Sequence, residues 1–72
     1  MKITDTKSLG AAIKARRKEL NMTQAYLAQF TGFSTSFISE LENGKDTAEI
    51  GKALYLISLL GMDISVKNRG EG

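Results

Sequence analysis

Thr35, Ser36, Ser39 and Glu40 would stand together on one side of any helix that contained them. At about 100° per residue, Phe37, Ile38 and Leu41 gather within a third of the circumference on the other side. Three short hydroxyl side chains and a carboxylate make an unusual exposed face, since such faces commonly carry Lys, Glu and Gln. Hydroxyls serve either donor or acceptor edges of DNA bases, and a threonine methyl can contact a thymine methyl. A carboxylate accepts from a cytosine amino group. This helix has no Arg or Lys, so two-point recognition of guanine from it is excluded. Glu40 and Glu42 point about 200° apart and do not form a catalytic pair.

The chain has neither His nor Cys. Zinc fingers, disulfide scaffolds and Cys or His nucleophiles are therefore outside its reach. Seventy-two residues allow one small domain, from which a cleft enclosing a substrate is hard to build, although carboxylates, serines and lysines remain. Core burial in a chain of this size supplies roughly 3–5 kcal/mol, so a partner subunit would help. The reading is a binding module and not an enzyme, with no cofactor and no metal. The longest unbroken apolar run, Ala53 to Ile57, is too short for a membrane span or a signal-peptide core. A cytoplasmic location is expected, with no membrane partner.

Ten Lys+Arg against eight Asp+Glu leave a net charge of only +2. The distribution says more. Lys2, Lys7, Lys14, Arg16, Arg17 and Lys18 face only Asp5 and Glu19 over the first twenty residues. Residues 21–44 hold no base and two acids, and the remainder is balanced. Positive charge thus collects at one end of the chain.

Four helices are expected to position the hydroxyl face. The first spans about Thr6 to Leu20, with Asp5, Thr6 or Ser8 as its N-cap, and stops at Asn21. Thr23 caps a short second helix, Gln24 to Phe30, with Leu27, Ala28 and Phe30 turned inward. Thr31-Gly32-Phe33 breaks the chain, Ser34 caps the third helix over Thr35–Glu42, and Asn43-Gly44 ends it. Thr47 is expected to cap a fourth helix from Ala48 to Leu60. Its apolar residues form a row of Ile50, Ala53, Leu54, Ile57 and Leu60, flanked by Leu56 and Leu59. Residues 62–68 alternate apolar and polar at strand period, with Met62, Ile64 and Val66 on one side. A lone strand would leave its backbone unpaired, so two copies are expected to pair through it, Leu56 and Leu59 joining the contact. The domain is thus a 6–60 helical bundle, a 62–68 dimerisation strand and a flexible 69–72 tail. Two short helices around a tight glycine turn make a helix-turn-helix unit.

The stretch TQAYLAQFTGFSTSFISELENGK, Thr23 to Lys45, closely resembles the Xre/Cro family of helix-turn-helix repressors, and the likeness extends over residues 8–60. It implies an all-α, lambda-repressor-like fold and sequence-specific binding of double-stranded DNA at a palindromic operator, as a homodimer. Residue by residue, it implies that Ser34, Thr35, Ser36, Ser39 and Glu40 face the bases. Thr23, Gln24, Asn43, Gly44 and Lys45 would hold phosphates. Arg17 and Glu42 match a structural ion pair, while Lys14, Arg16 and Lys18 would supply the flanking field. Residues 44–64 look like the short HipB-type antitoxins, autorepressors that bind a HipA-type serine/threonine kinase toxin. Asp46 departs from the proline often found there. The alternative is a stand-alone, phage-type repressor with no toxin partner.

Overall fold

A computed structural model describes residues 2–70, which form four helices and, among those residues, no strand. Helix α1 spans Thr6–Glu19, α2 Gln24–Thr31, α3 Thr35–Glu42 and α4 Ile50–Leu59. Of the three N-cap candidates for α1, Asp5 takes the position. Its carboxylate accepts from the Ser8 N–H at 2.7 Å, and the Ser8 hydroxyl accepts from the Asp5 N–H in return, a reciprocal capping box. That amide donor holds the Asp5 carboxyl below its usual value. The Thr6 hydroxyl is left free of the cap and turns elsewhere.

The core lies between the four helices and is built from Ile13, Leu27, Ala28, Ile38, Leu41, Ala53, Leu56, Ile57 and Leu60. Helix α1 faces it with Gly10, Ile13 and Arg17, three residues at helical spacing. At Gly10 the backbones of α1 and α3 touch. A Cβ there would lie 2.6 Å from the Glu42 carbonyl oxygen and against that of Leu41. Only glycine fits.

Several expected placements shift. Phe30 is not inward but 59% exposed. Leu27, Ala28 and Thr31 fill the inner arc of α2, and Phe30 stands about 110° from its centre. There it stacks on Tyr26, centroids 6.2 Å apart. Thr47 does not cap α4. The chain turns through Asp46–Ala48 first, and the helix starts three residues after Thr47 with Glu49 at the cap position and no side-chain cap bond. The inward stripe of α4 is Ala53, Leu56, Ile57 and Leu60, while Ile50 and Leu54 are exposed. Leu56 is fully buried inside the single chain and is no contact residue for a second copy. Leu59 is half-buried.

The 62–68 segment forms no strand, although its residues 63–67 line one cavity with Lys2 and Ile3. Met62 packs against the core, whereas Ile64 and Val66 are exposed. Arg69 and Gly70 make a turn, and the rest of the expected tail lies outside the described residues. Among those residues no helix is long and apolar enough to cross a membrane.

Candidate nucleic-acid interface

Ser34 caps α3 by accepting the Phe37 N–H at 3.0 Å, and Thr23 caps α2 by accepting the Tyr26 N–H at 3.0 Å. In both, the oxygen serves the helix while the hydroxyl hydrogen stays able to donate outward. First-turn amides of a helix have no partner within it, so the N–H groups of Gln24, Ala25, Thr35 and Ser36 are donors for an outside anion. The turn between these helices is Gly32-Phe33-Ser34, with Gly32 in the left-handed region at φ 81°.

Ile38 and Leu41 anchor α3 in the core, which turns Thr35, Ser36, Ser39 and Glu40 outward. With Gln24 from α2 they line one shallow depression of about 470 Å³. Hydroxyl, amide and carboxylate groups therefore converge on a single open surface. A salt link at its edge reduces the free charge: Lys45 Nζ lies 2.9 Å from Glu40 Oε2, and both side chains are about half exposed.

Behind this surface lies the polar centre of the molecule. Arg17 Nε donates to Glu42 Oε2 at 2.6 Å and its Nη2 to Oε1 at 3.0 Å, with the two side chains only 8% and 1% exposed. A third guanidinium donor reaches the Met22 carbonyl at 2.7 Å. Gln24 Nε2 donates to Glu42 Oε1 at 3.0 Å. One carboxylate thus ties the end of α1, the start of α2 and the end of α3. Burial pushes the Glu42 carboxyl up, but the hydrogen bonds from Arg17 and Gln24, with the Arg17 and Lys14 charges, hold it below its ordinary value. The same bond pushes the Arg17 guanidinium up. The pair stays ionised, and no described buried side-chain nitrogen or oxygen lacks a partner.

Three residues hold positions other than those expected of a DNA contact. The Gly44 N–H donates to Leu41 O at 3.1 Å, closing α3 in a Schellman turn together with Lys45 N–H to Glu40 O at 3.0 Å. Gly44 therefore lacks a free amide for phosphate. Its job is conformational, with φ 84° and the Lys7 backbone 2.7 Å from where a Cβ would stand. Gln24 has its amide nitrogen on Glu42, which leaves the backbone N–H and the amide oxygen. Arg16 is no free field charge, since its Nε donates to Leu60 O at 2.9 Å and caps the end of α4. Nothing in the sequence marks that bond, whose partners lie 44 positions apart. Lys14 and Lys18 remain exposed.

A recognition helix set outward by a short glycine turn and locked from behind by its neighbours defines a helix-turn-helix DNA-binding unit. The Helix-turn-helix family matches residues 13–66, and the chain belongs to this family of Xre-type transcriptional regulators. It is 43% identical over 63 residues to the uncharacterized HTH-type transcriptional regulator y4mF of Sinorhizobium fredii, covering 88% of this chain and 83% of that protein. It is 34% identical over 67 residues to the ImmF control region 10 kDa protein of Bacillus phage phi105, covering 93% and 74%. Among solved structures, the protein chain of a HipB-O4 20mer complex superposes with a TM-score of 0.83 at 25% identity, over 96% of this chain and 97% of that one. A HipA-HipB-O2-O3 complex gives the same score and identity, with the same coverage.

Proposed function

We propose that two copies of this chain bind a palindromic operator, each laying α3 into the major groove, and repress transcription of their own gene. The observation that carries this is the depression in which Gln24, Thr35, Ser36, Ser39 and Glu40 bring hydroxyl, amide and carboxylate groups onto one open surface backed by a rigid ion pair. Thr35, Ser36, Ser39 and the Ser34 hydroxyl read base edges, and Glu40 accepts from a cytosine amino group. Thr23, the first-turn amides of α2, Asn43 and Lys45 hold phosphates. Without Arg or Lys on α3, discrimination per half-site is modest, and a two-fold dimer compensates by joining two half-sites about 34 Å apart.

The dimer forms through the 62–68 segments, which pair as strands. Ile64 and Val66, with Ile50 and Leu54 on α4, offer the exposed apolar area that such a contact would cover. We further infer that the protein is the antitoxin of a toxin-antitoxin operon, neutralising a HipA-type serine/threonine kinase. The likeness to HipB in complexes with DNA and with HipA over almost the whole chain supports this reading. The phage control-region relative favours a second, a stand-alone regulator without a toxin.

Binding of Thr35→Ala/Ser36→Ala to DNA upstream of the gene and to a scrambled duplex tests the base face. Operator affinity should fall by about 1–3 kcal/mol per lost contact while scrambled affinity holds. An equal loss on both duplexes would refute the assignment. Co-expression with an adjacent kinase-like gene product decides between antitoxin and stand-alone regulator: relief of growth arrest supports the first, absence of any complex the second.

A further inference from the structure

We propose that Thr6 is a positioning residue for DNA binding, a latch that orients the loop carrying the phosphate contacts Asn43 and Lys45. The inference rests on the phosphate role of Lys45 in the reading above. Thr6 is the first residue of α1, yet its hydroxyl takes no part in capping, which Asp5 and Ser8 perform between them. Instead Thr6 Oγ1 lies 2.9 Å from Gly44 O and 2.7 Å from Asp46 Oδ1, partners 38 and 40 positions away. One hydroxyl hydrogen is shared between a carbonyl and a carboxylate, both acceptors with no proton of their own. These two acceptors flank Lys45 in the chain.

The loop has few other ways to be held. The Gly44 and Lys45 N–H groups are spent closing α3, and Gly44 sits so close to Lys7 that no side chain fits between them. The close approach brings the loop against α1, and the Thr6 hydroxyl fixes its orientation there. It also draws the Asp46 carboxylate toward the N-terminal end of α1, where the helix's partial positive charge favours it. A carboxylate released one residue from Lys45 would pair with that ammonium or repel the DNA phosphates. Glu40 already holds Lys45 from the other side, so a second acid would leave little charge for DNA.

The test uses the full chain and a scrambled duplex over a salt series, since phosphate contacts are independent of sequence. One phosphate contact changes the slope of log K against log salt by about 0.9. Thr6→Val keeps the shape and removes the hydroxyl; its slope should be shallower by that amount, with affinity about eightfold lower at 0.1 M salt, the same slope carried to 1 M. Thr6→Ser should restore both. An unchanged slope in Thr6→Val, or a shallower one that Thr6→Ser does not restore, overturns the latch. Lys45→Ala separates the two readings. If it flattens the slope and Thr6→Val does not, the latch alone fails. If Lys45→Ala leaves the slope as it was, the phosphate role of Lys45 fails and the latch with it.

Discussion

Replacing Gly10 by alanine sets two opposed effects against each other, and the structure decides the sign. Alanine in a helix interior is favoured over glycine by about 1 kcal/mol. Against that stands a new methyl 2.6 Å from the Glu42 carbonyl oxygen, still nearer the Leu41 carbonyl, and 2.8 Å from the Glu42 carbonyl carbon. All three are backbone atoms, so no rotamer change relieves the contact. Helices α1 and α3 must separate, at the point where Arg17 and Glu42 hold bonds of 2.6 and 3.0 Å. Overpacking costs about 1–3 kcal/mol even where side chains can move. The upper end applies here, which leaves a net loss near 2 kcal/mol. In a domain of this size that lowers the melting temperature by roughly 8–16 °C.

Gly51→Ala is the matched control. Gly51 also lies in a helix, α4, but a Cβ there meets nothing within 4 Å. Only the propensity gain remains, up to about 1 kcal/mol and less in a first turn. Thermal melts by circular dichroism of both variants should therefore move in opposite directions. A Gly10→Ala protein that melts at or above the parent would refute the close α1–α3 contact and the reasoning built on it.

Arg17→Ala leaves the buried Glu42 charge unpaired and should cost about 3–5 kcal/mol, whereas Arg17→Ala/Glu42→Ala should recover part of it; melts of the singles and the double settle it, and parent-like singles would show the pair to be idle. Because Glu42 titrates below its ordinary 4.5 when folded, its contribution is present above that value and lost as pH falls through the depressed one. The melting temperature should hold from neutrality to about pH 5 and fall below pH 4.5, with Glu42→Gln removing part of that acid limb. Deleting Met62 onward should abolish dimer and operator binding together while helical circular dichroism persists, and a truncated chain that still sediments as a dimer would exclude pairing through the tail.

What could be seen in the amino-acid order was whatever local chemistry decides. Ser34 before an amphipathic turn, and Asn43-Gly44 after it, mark both ends of α3 because caps and stops act within a few residues. The outward hydroxyl face follows from the same periodicity. Where two residues far apart decide the outcome, the order was silent. Gly10 carried a weak signal, since a glycine inside a helix costs stability and calls for a reason, but the reason is the backbone of α3, 31 or more positions away. Thr47 has the chemistry of a cap, yet Asp46 and its neighbours are held by Thr6, and the chain turns there before a helix can begin. In α4 seven of ten residues are Ile, Leu, Ala or Tyr on several arcs, so periodicity alone could not tell which stripe the core would take. It took Leu56 and left Leu54 out.

These long-range contacts share one strand of logic. Helix α1 reaches the rest of the fold at its first residue through Thr6 and the 44–46 loop, at Gly10 through the backbone of α3, and at Arg17 through Glu42. Arg16 adds the end of α4. The recognition helix is thus fixed at its C-terminal end by three separate contacts with α1, and at its N-terminal end by the Ser34 cap, the short turn and the packing of Phe37 against Phe33 and Lys52. If the hydroxyl face reads bases as proposed, it cannot adapt by reaching, since serine and threonine hydroxyls extend little beyond the backbone. Its discrimination then depends on how accurately the helix axis is placed. Positive charge in the first twenty residues is spent on that placement as much as on DNA, with Arg16 and Arg17 both turned inward to neighbouring elements. Substitutions in α1 that touch no nucleotide should accordingly change operator discrimination as well as stability, whereas loss of exposed Lys14 or Lys18 should weaken binding to every sequence alike.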